Sequence, residues 1–457
     1  MLRFAKECGD KLIVAVESDR IAGNSAHVPQ NLRLDGVKSN SLVDEAFIFD
    51  EPIEQLVKRL KPDVIVKGKE HELNYNRELL ILEKFGGRLV FSSGETIFSS
   101  YDLLKKEFND LDSYSIKLPI DFMNRHQITK SRLIDLVLNF STLKVCVIGD
   151  LIIDEYITCQ PLGMSQEDPT IVLSPIDSKK FIGGAGIVAA HASGLGATVD
   201  FITIAGSDNT YKFAANELKE CNVKVNFILD DNRPTTLKQR FRSKGQTLMR
   251  LSYLHQASIS KVHQKKILSK VKKVINDIDL LVFSDFNYGC LPQSLIEEII
   301  TIANRKKIFI TADSQSSSQT GDIARYKNVD LLTPTEYEAR LSTRNYEDGL
   351  VVLAEDLKQK ASARNVLLKL GEEGLLIHSE NLSNNDWLTD RIDALNATPK
   401  DVAGAGDSLL ITSSMALVSG ATIWEAACLG SLSAAIQVGR LGNIPLDTKE
   451  LIQKLKE

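Results

Sequence analysis

The 457-residue sequence contains no run of about eighteen apolar residues, the length a helix needs to cross a bilayer, so no membrane partner is expected. Its opening residues, MLRFAKECGDKL, lack the basic start, apolar stretch and cleavage site of a secretory leader. An excess of positive charge is also missing. The 55 Lys and Arg face 60 Asp and Glu, a net charge of −5, which implies no general attraction to nucleic acid. Cysteine is sparse: Cys8, Cys146, Cys159, Cys221, Cys290 and Cys428 form no CxxC pair and no zinc-type spacing with His. Small buried thiols in a reducing cytoplasm fit this pattern better than disulfides or a metal centre. Low-complexity tracts and short repeats are absent too. What remains is an ordinary globular composition, 43% hydrophobic and 25% charged, in a chain long enough for two or three domains.

Two segments alternate strand and helix signals, the pattern of parallel βαβ units in an α/β protein. In the first, 11–19, 62–68 and 88–94 are short apolar runs, with helical stretches at 51–60 and 76–85 between them. The rhythm breaks over 105–139, which reads as a linker: a polar stretch ends at Pro119, and 126–140 reads as a helix leading into the next strand. The second segment, 140–457, restarts with LKVCVIGD and predicts further strands within 197–206, 224–229, 279–285, 306–314, 329–335 and 365–371. Residues 155–175 depart from this rhythm and read as two or three short strands inserted after the first.

The sharpest motif is DVAGAGDS at 401–408, which opens a long helix-compatible run. Gly404, Ala405 and Gly406 would turn the backbone tightly and present successive N–H groups to an anion at a helix start. Asp407 would then stand in the first helical turn, placed to accept the proton of an attacking hydroxyl. The octapeptide alone also fits a Gly-rich turn with a capping Asp. A second motif, FIGGAGIVAAHASGLGA at 181–197, places Gly183 and Gly184 before a helix of small residues. It suits close approach of a ligand, and equally tight packing of helix on sheet.

In order along the chain, GD…D (149–154), GGAG (183–186), SDF (284–286), TPTEYE (333–338), LGEEG (370–374) and DVAGAGD (401–407) resemble the PfkB/ribokinase family across essentially all of 140–457. In detail the segment is similar to the kinase half of the bifunctional ADP-heptose synthases: GMSQEDPTIV (163–172) resembles their lid, and 233–251 their paired substrate-side strands. The resemblance implies a ribokinase-like three-layer α/β/α domain with a small β lid. It also implies ATP-dependent phosphorylation of a sugar hydroxyl, most plainly O1 of a heptose 7-phosphate-like sugar used in surface polysaccharide synthesis. By the same resemblance Asp407 is the base, and Gly404, Ala405 and Gly406 form the anion hole. Asp154 holds sugar hydroxyls beside Gly183 and Gly184. Arg240, with Arg242 and Arg250 nearby, suits a sugar phosphate, although solvated strand charges fit each equally. Lys369, Gly371 and Gly374 lie beside the nucleotide, and Glu338 acts through water on Mg²⁺. A homodimer through the lid is expected, since exposed strand edges pair.

Four positions depart from the family: Ile187 where Asn is usual, Thr335 where Asn opens an Asn-x-x-Glu motif, Tyr288 where the heptose kinases have Lys, and Ser252 where Asp is usual. They leave open a kinase of another sugar or nucleoside, or a non-catalytic scaffold. Residues 1–104 resemble the cytidylyltransferase-like half of the same bifunctional enzymes: a Rossmann-like nucleotidyltransferase-type domain, incomplete because its first strand and HxGH motif are missing. Ser99 and Ser100 stand where that family binds nucleotide phosphate. No HxGH occurs in the sequence, so nucleotidyl transfer is not expected of this form. The two halves stand in the reverse of the common order.

Overall fold

A computed structural model describes residues 2–23, 28–38, 40, 42–68, 71, 76–92, 116–243, 246–316, 321–379 and 389–457. The chain divides into two compact units, Met1–Ser113 and Tyr114–Glu457. None of the described helices is long and apolar enough to cross a membrane.

In the first unit, β1 (Ile13–Glu17) pairs in parallel with β2 (Glu45–Phe49), and β3 (Val64–Gly68) pairs in parallel with β4 (Arg88–Ser92). The three expected strands are present. The fourth, EAFIF, is too short and too mixed to stand out in sequence. Between β2 and β3 the helix Ile53–Leu60 buries Leu56 and Val57. Lys67 pairs with the buried Glu78 and donates to Asn76 Oδ1 at 2.9 Å. Ser99 and Ser100 lie outside the described residues.

The second unit opens with the helices Ile120–Arg125 and Lys130–Asn139, in the stretch expected as a linker. Phe122, Leu133, Leu136, Val137 and Phe140 join its core, so 116–139 belongs to this unit. The apolar positions at 133, 136, 137 and 140 follow helical spacing and account for the docking.

The strand β5 (Lys144–Gly149) follows. It leads into β6 (Leu151–Met164), which returns as β7 (Ile171–Gly184). Next come β8 (Thr198–Ala205), β9 (Lys224–Leu229), β10 (Thr236–Ser243), β11 (Gln246–Tyr253), β12 (Leu280–Asp285), β13 (Phe309–Ser314) and β14 (Leu331–Leu332). The last are β15 (Asn365–Lys369), β16 (Leu375–His378) and β17 (Thr389–Ile392). Nine strands form one sheet in the order β17-β16-β15-β14-β13-β12-β5-β8-β9, parallel from β15 to β9, with β16 and β17 antiparallel at one edge.

Alternation along the central strands shows that both faces are covered. Val145 and Val147 of β5 pack with the helices Ala185–Gly194, Ala405–Val418 and Ile423–Val438. Cys146 and Ile148 face the opposite way, toward the helices Lys261–Val274, Gln293–Arg305 and Leu350–Ala361. This is a three-layer α/β/α domain, as the resemblance implied.

The lid is a separate sheet in the order β11-β10-β6-β7. Instead of two or three short strands it holds two of 14 residues, paired antiparallel, with register shifts at Thr158/Cys159 and Pro161/Gly163. Pro161 and Gly163 read as breaks in sequence, but the fold absorbs them as bulges. The inner half of β6 is buried, whereas Leu162, Met164, Ile171 and Ile176 stand exposed on the outer part.

Candidate active site

Open parallel sheets gather their chemistry at the carboxyl ends of the strands. Here those ends carry Asp150 just after β5, Asp285 on β12, Asp313 on β13 and Lys369 on β15. Asp150 and Asp285 act as braces. Asp150 accepts N–H groups from Phe286 (2.9 Å), Tyr288 (3.3 Å) and Cys290 (3.3 Å), which fixes the loop after the SDF motif. Asp285 pairs with Arg325 and accepts the Tyr326 hydroxyl at 2.8 Å.

Gly404 adopts φ 77°, a left-handed turn open to glycine, and the helix Ala405–Val418 starts immediately after it. Asp407 lies in that helix's first turn and is 5% exposed, and its Oδ1 has no hydrogen-bond partner among the described residues. Burial, reinforced by the nearby Asp313 charge and opposed by Lys369, pushes its carboxyl up to about 7. A carboxylate poised near neutrality, with one free oxygen at a helix N-terminus, suits proton abstraction from a hydroxyl.

Lys369 lies beside this centre. Its Nζ donates to both Asp313 oxygens, at 3.0 and 3.1 Å, and a methyl on Gly406 would stand 3.1 Å from it. Burial works against the ammonium, yet Asp313 and Glu338 hold its pKa above the ordinary value. Burial likewise lifts Asp313 to about 6, against the pull of Lys369. Gly371 and Gly374 occupy the turn that follows. Gly374, at φ 94°, packs so tightly that a methyl there would stand 2.1 Å from the Ile392 carbonyl oxygen. Glu338 is 6% exposed and accepts the backbone N–H groups of Ser316 (2.9 Å) and Thr335 (2.7 Å). Thr335 therefore completes a capping box for the helix Glu336–Thr343, a structural task that Thr performs as well as Asn would.

The residues expected on the sugar side also converge. Asp154 is 6% exposed; Arg240 Nη2 lies 3.5 Å from its Oδ1 and Asn443 Nδ2 lies 3.3 Å from its Oδ2. A methyl on Gly183 would stand 2.5 Å from Asp154 Oδ2, and Gly184, at φ 57°, begins the helix Ala185–Gly194. Burial raises the Asp154 carboxyl, while Arg240 and Lys238 pull it back down. Lys238, Arg240 and Arg242 alternate along β10 and so share one face. The Lys238 ammonium lies over the rings of Phe286 (5.2 Å) and Tyr288 (5.1 Å). The Arg240 and Arg242 guanidinium groups lie over Tyr156, at 5.4 and 5.0 Å. Arg250, opposite Arg240 on β11, is exposed, as is Ser252. Tyr156 donates to Asp401 Oδ2 at 2.6 Å, tying the lid's root to the Gly404 turn.

Asp313, Lys238, Tyr156 and Asn443 escaped the reading of the sequence. Asp313 left a signal, an acid at the end of an apolar strand; Asn443 left none, because a lone Asn after a glycine reads as a turn.

The profile of the pfkB family carbohydrate kinases matches residues 142–449. The chain belongs to this family. Among similar proteins, the bifunctional protein HldE of Aliarcobacter butzleri is 32% identical over 317 residues, covering 68% of this chain and 63% of its own length. HldE of Helicobacter hepaticus is 28% identical, with 68% and 63% covered. The chain thus spans less than two thirds of the length of these relatives. Two solved structures share the fold of this pfkB unit: Arabidopsis thaliana ribokinase complexed with ribose and ATP (TM-score 0.54, 17% identity, 69% of this chain and 99% of that one), and Escherichia coli phosphofructokinase-2 in complex with substrates and products (TM-score 0.57, 16% identity, 69% and 100%).

Proposed function

We propose that the second unit transfers the terminal phosphoryl group of ATP to a sugar hydroxyl, O1 of a heptose 7-phosphate-like acceptor. The observation that supports this most is Asp407: a buried carboxylate near neutrality, with a free oxygen, in the first turn behind Gly404. Asp407 takes the hydroxyl proton. The backbone N–H groups around Gly404, Ala405 and Gly406 face the charge that develops on the transferring group. Asp154, Gly183 and Gly184 hold the sugar, and the cationic face of β10, with Arg240 at its centre, supports a phosphorylated acceptor. Lys369, Gly371 and Gly374 line the nucleotide side.

The described residues hold no cluster of three or more His, Cys, Asp or Glu fit to cage a metal. Magnesium fits best on the nucleotide phosphates, with Glu338 meeting it through water; there it would neutralise phosphoryl charge. Residues 1–104 we assign to a cytidylyltransferase-like domain, on the resemblance of their strand and helix segments. The exposed Leu162, Met164, Ile171 and Ile176 support a homodimer through the lid.

The test is ADP release with Mg²⁺ and ATP over sugars headed by heptose 7-phosphate. Turnover on the heptose supports the reading. Turnover on another sugar alone moves the acceptor, an outcome that the departures at Ile187 and Tyr288 favour. Light scattering at micromolar concentration tests the dimer, and a clean monomer counts against it.

A further inference from the structure

Asn443 stands where the two glycine turns meet. It follows the helix Ile423–Val438 in the turn Leu441-Gly442-Asn443 and is 7% exposed. Its Nδ2 donates to Asp154 Oδ2 at 3.3 Å, and a methyl on Gly183 would stand 3.3 Å from the same nitrogen. Its Oδ1 faces the other way: a methyl on Gly404 would stand 2.5 Å from it. The NH₂ of the amide faces the Asp154 carboxyl, and the carbonyl oxygen points at the Gly404 turn.

That oxygen is buried and has no hydrogen-bond partner among the described residues. A buried acceptor without a donor is unfavourable, and a hydroxyl brought by a ligand would satisfy it. The loop is held firmly. Gly442 donates to Asp401 Oδ2 at 3.0 Å, and its carbonyl accepts from Gln437 Nε2 at 3.0 Å. The free acceptor is thus preorganised between the carboxylate that holds the sugar and the turn that holds the phosphoryl group.

Ile187 completes the argument. It occupies the position where the family usually carries an amide, and here it is wholly buried in the apolar core. We infer that Asn443 is a specificity-determining residue: its side-chain oxygen accepts a hydrogen bond from a sugar hydroxyl neighbouring the one attacked, replacing from the C-terminal loop an amide lost at Ile187. This rests on the kinase reading above.

The experiment uses the full chain and measures KM and kcat for the acceptor, with Mg²⁺ and ATP, in wild type, Asn443→Ala and Asn443→Thr. The acceptor is whichever panel sugar the wild type phosphorylates best, compared with its single-deoxy analogues. Asn443→Ala should raise acceptor KM by about tenfold, the scale of one lost hydrogen bond, with the KM for ATP nearly unchanged. One deoxy analogue should be poor for the wild type yet no worse than the parent sugar for Asn443→Ala, because the hydroxyl and its acceptor are then both gone. Asn443→Thr, which keeps a small acceptor, should recover part of the loss and guards against a variant that fails to fold. An active wild type whose discrimination among deoxy analogues survives in both variants overturns the inference alone. A wild type that phosphorylates no sugar overturns the kinase reading and this inference with it.

Discussion

The two ends of the proposed site differ in how they are built. At the phosphoryl end a single continuous segment supplies the parts: Gly404 turns, Ala405 and Gly406 open the helix, and Asp407 follows in its first turn. At the acceptor end the parts come from four places: Asp154 on β6, Gly183 on β7, Arg240 on β10 and Asn443 near the C-terminus. A function carried by one segment stays intact or fails as a unit. One assembled from several can exchange a part, as we infer for Ile187 and Asn443. The largest expected effect therefore lies at the phosphoryl end. Asp407→Asn keeps the shape and removes the base, so turnover should fall on the order of 10²–10⁴-fold while ATP still binds. Coupled ADP release and nucleotide titration check both halves, and near-normal turnover in the variant would remove Asp407 from the base role.

Gly404→Ala breaks the comparison differently, because it strikes both ends together. The φ of 77° disfavours any side chain, and the added methyl would stand 2.5 Å from Asn443 Oδ1. Strain of about 1–3 kcal/mol is expected for the backbone alone. Thermal melting should show the loss, and acceptor KM should rise together with the fall in kcat. A variant with only kcat reduced would separate Gly404 from the acceptor end.

This difference also explains what was legible beforehand. DVAGAGDS could be read because its chemistry is contiguous, and the parallel sheet because apolar runs recur between helices. The long lid strands were obscured by Pro161 and Gly163, and the helix Ile120–Arg125 by the polar stretch before Pro119, whereas the helix Lys130–Asn139 falls within the 126–140 that read as helical. Asn443 and Lys238 could not be read at all. Each acts on a residue far away in sequence, Asn443 on Asp154 and Lys238 on Tyr288, and only the folded sheet brings these pairs together.

A smaller effect is expected at Lys369. Its charge opposes the rise in the Asp407 pKa, which burial and Asp313 set at about 7. The base works when deprotonated, so activity should rise with pH through this region. Lys369→Met removes the opposing charge, raises the Asp407 pKa further, and should move the acid limb of the kcat profile about one unit to higher pH. An acid limb that stays in place would show that Lys369 serves Asp313 alone.

The smallest effect tests whether a departure from the family pattern alters chemistry at all. Thr335 accepts the N–H of Glu338 at 3.3 Å, and Glu338 accepts that of Thr335 at 2.7 Å, which closes the cap of the helix Glu336–Thr343. Thr335→Ala opens one side of the box and should cost about 1 kcal/mol of stability, read from denaturant unfolding. Thr335→Asn, the residue usual in the family, keeps a capping acceptor and should match wild type in both stability and turnover. A gain in turnover with Asn would mean that this position reaches the metal-bound nucleotide, and that the phosphoryl end too has exchanged a part.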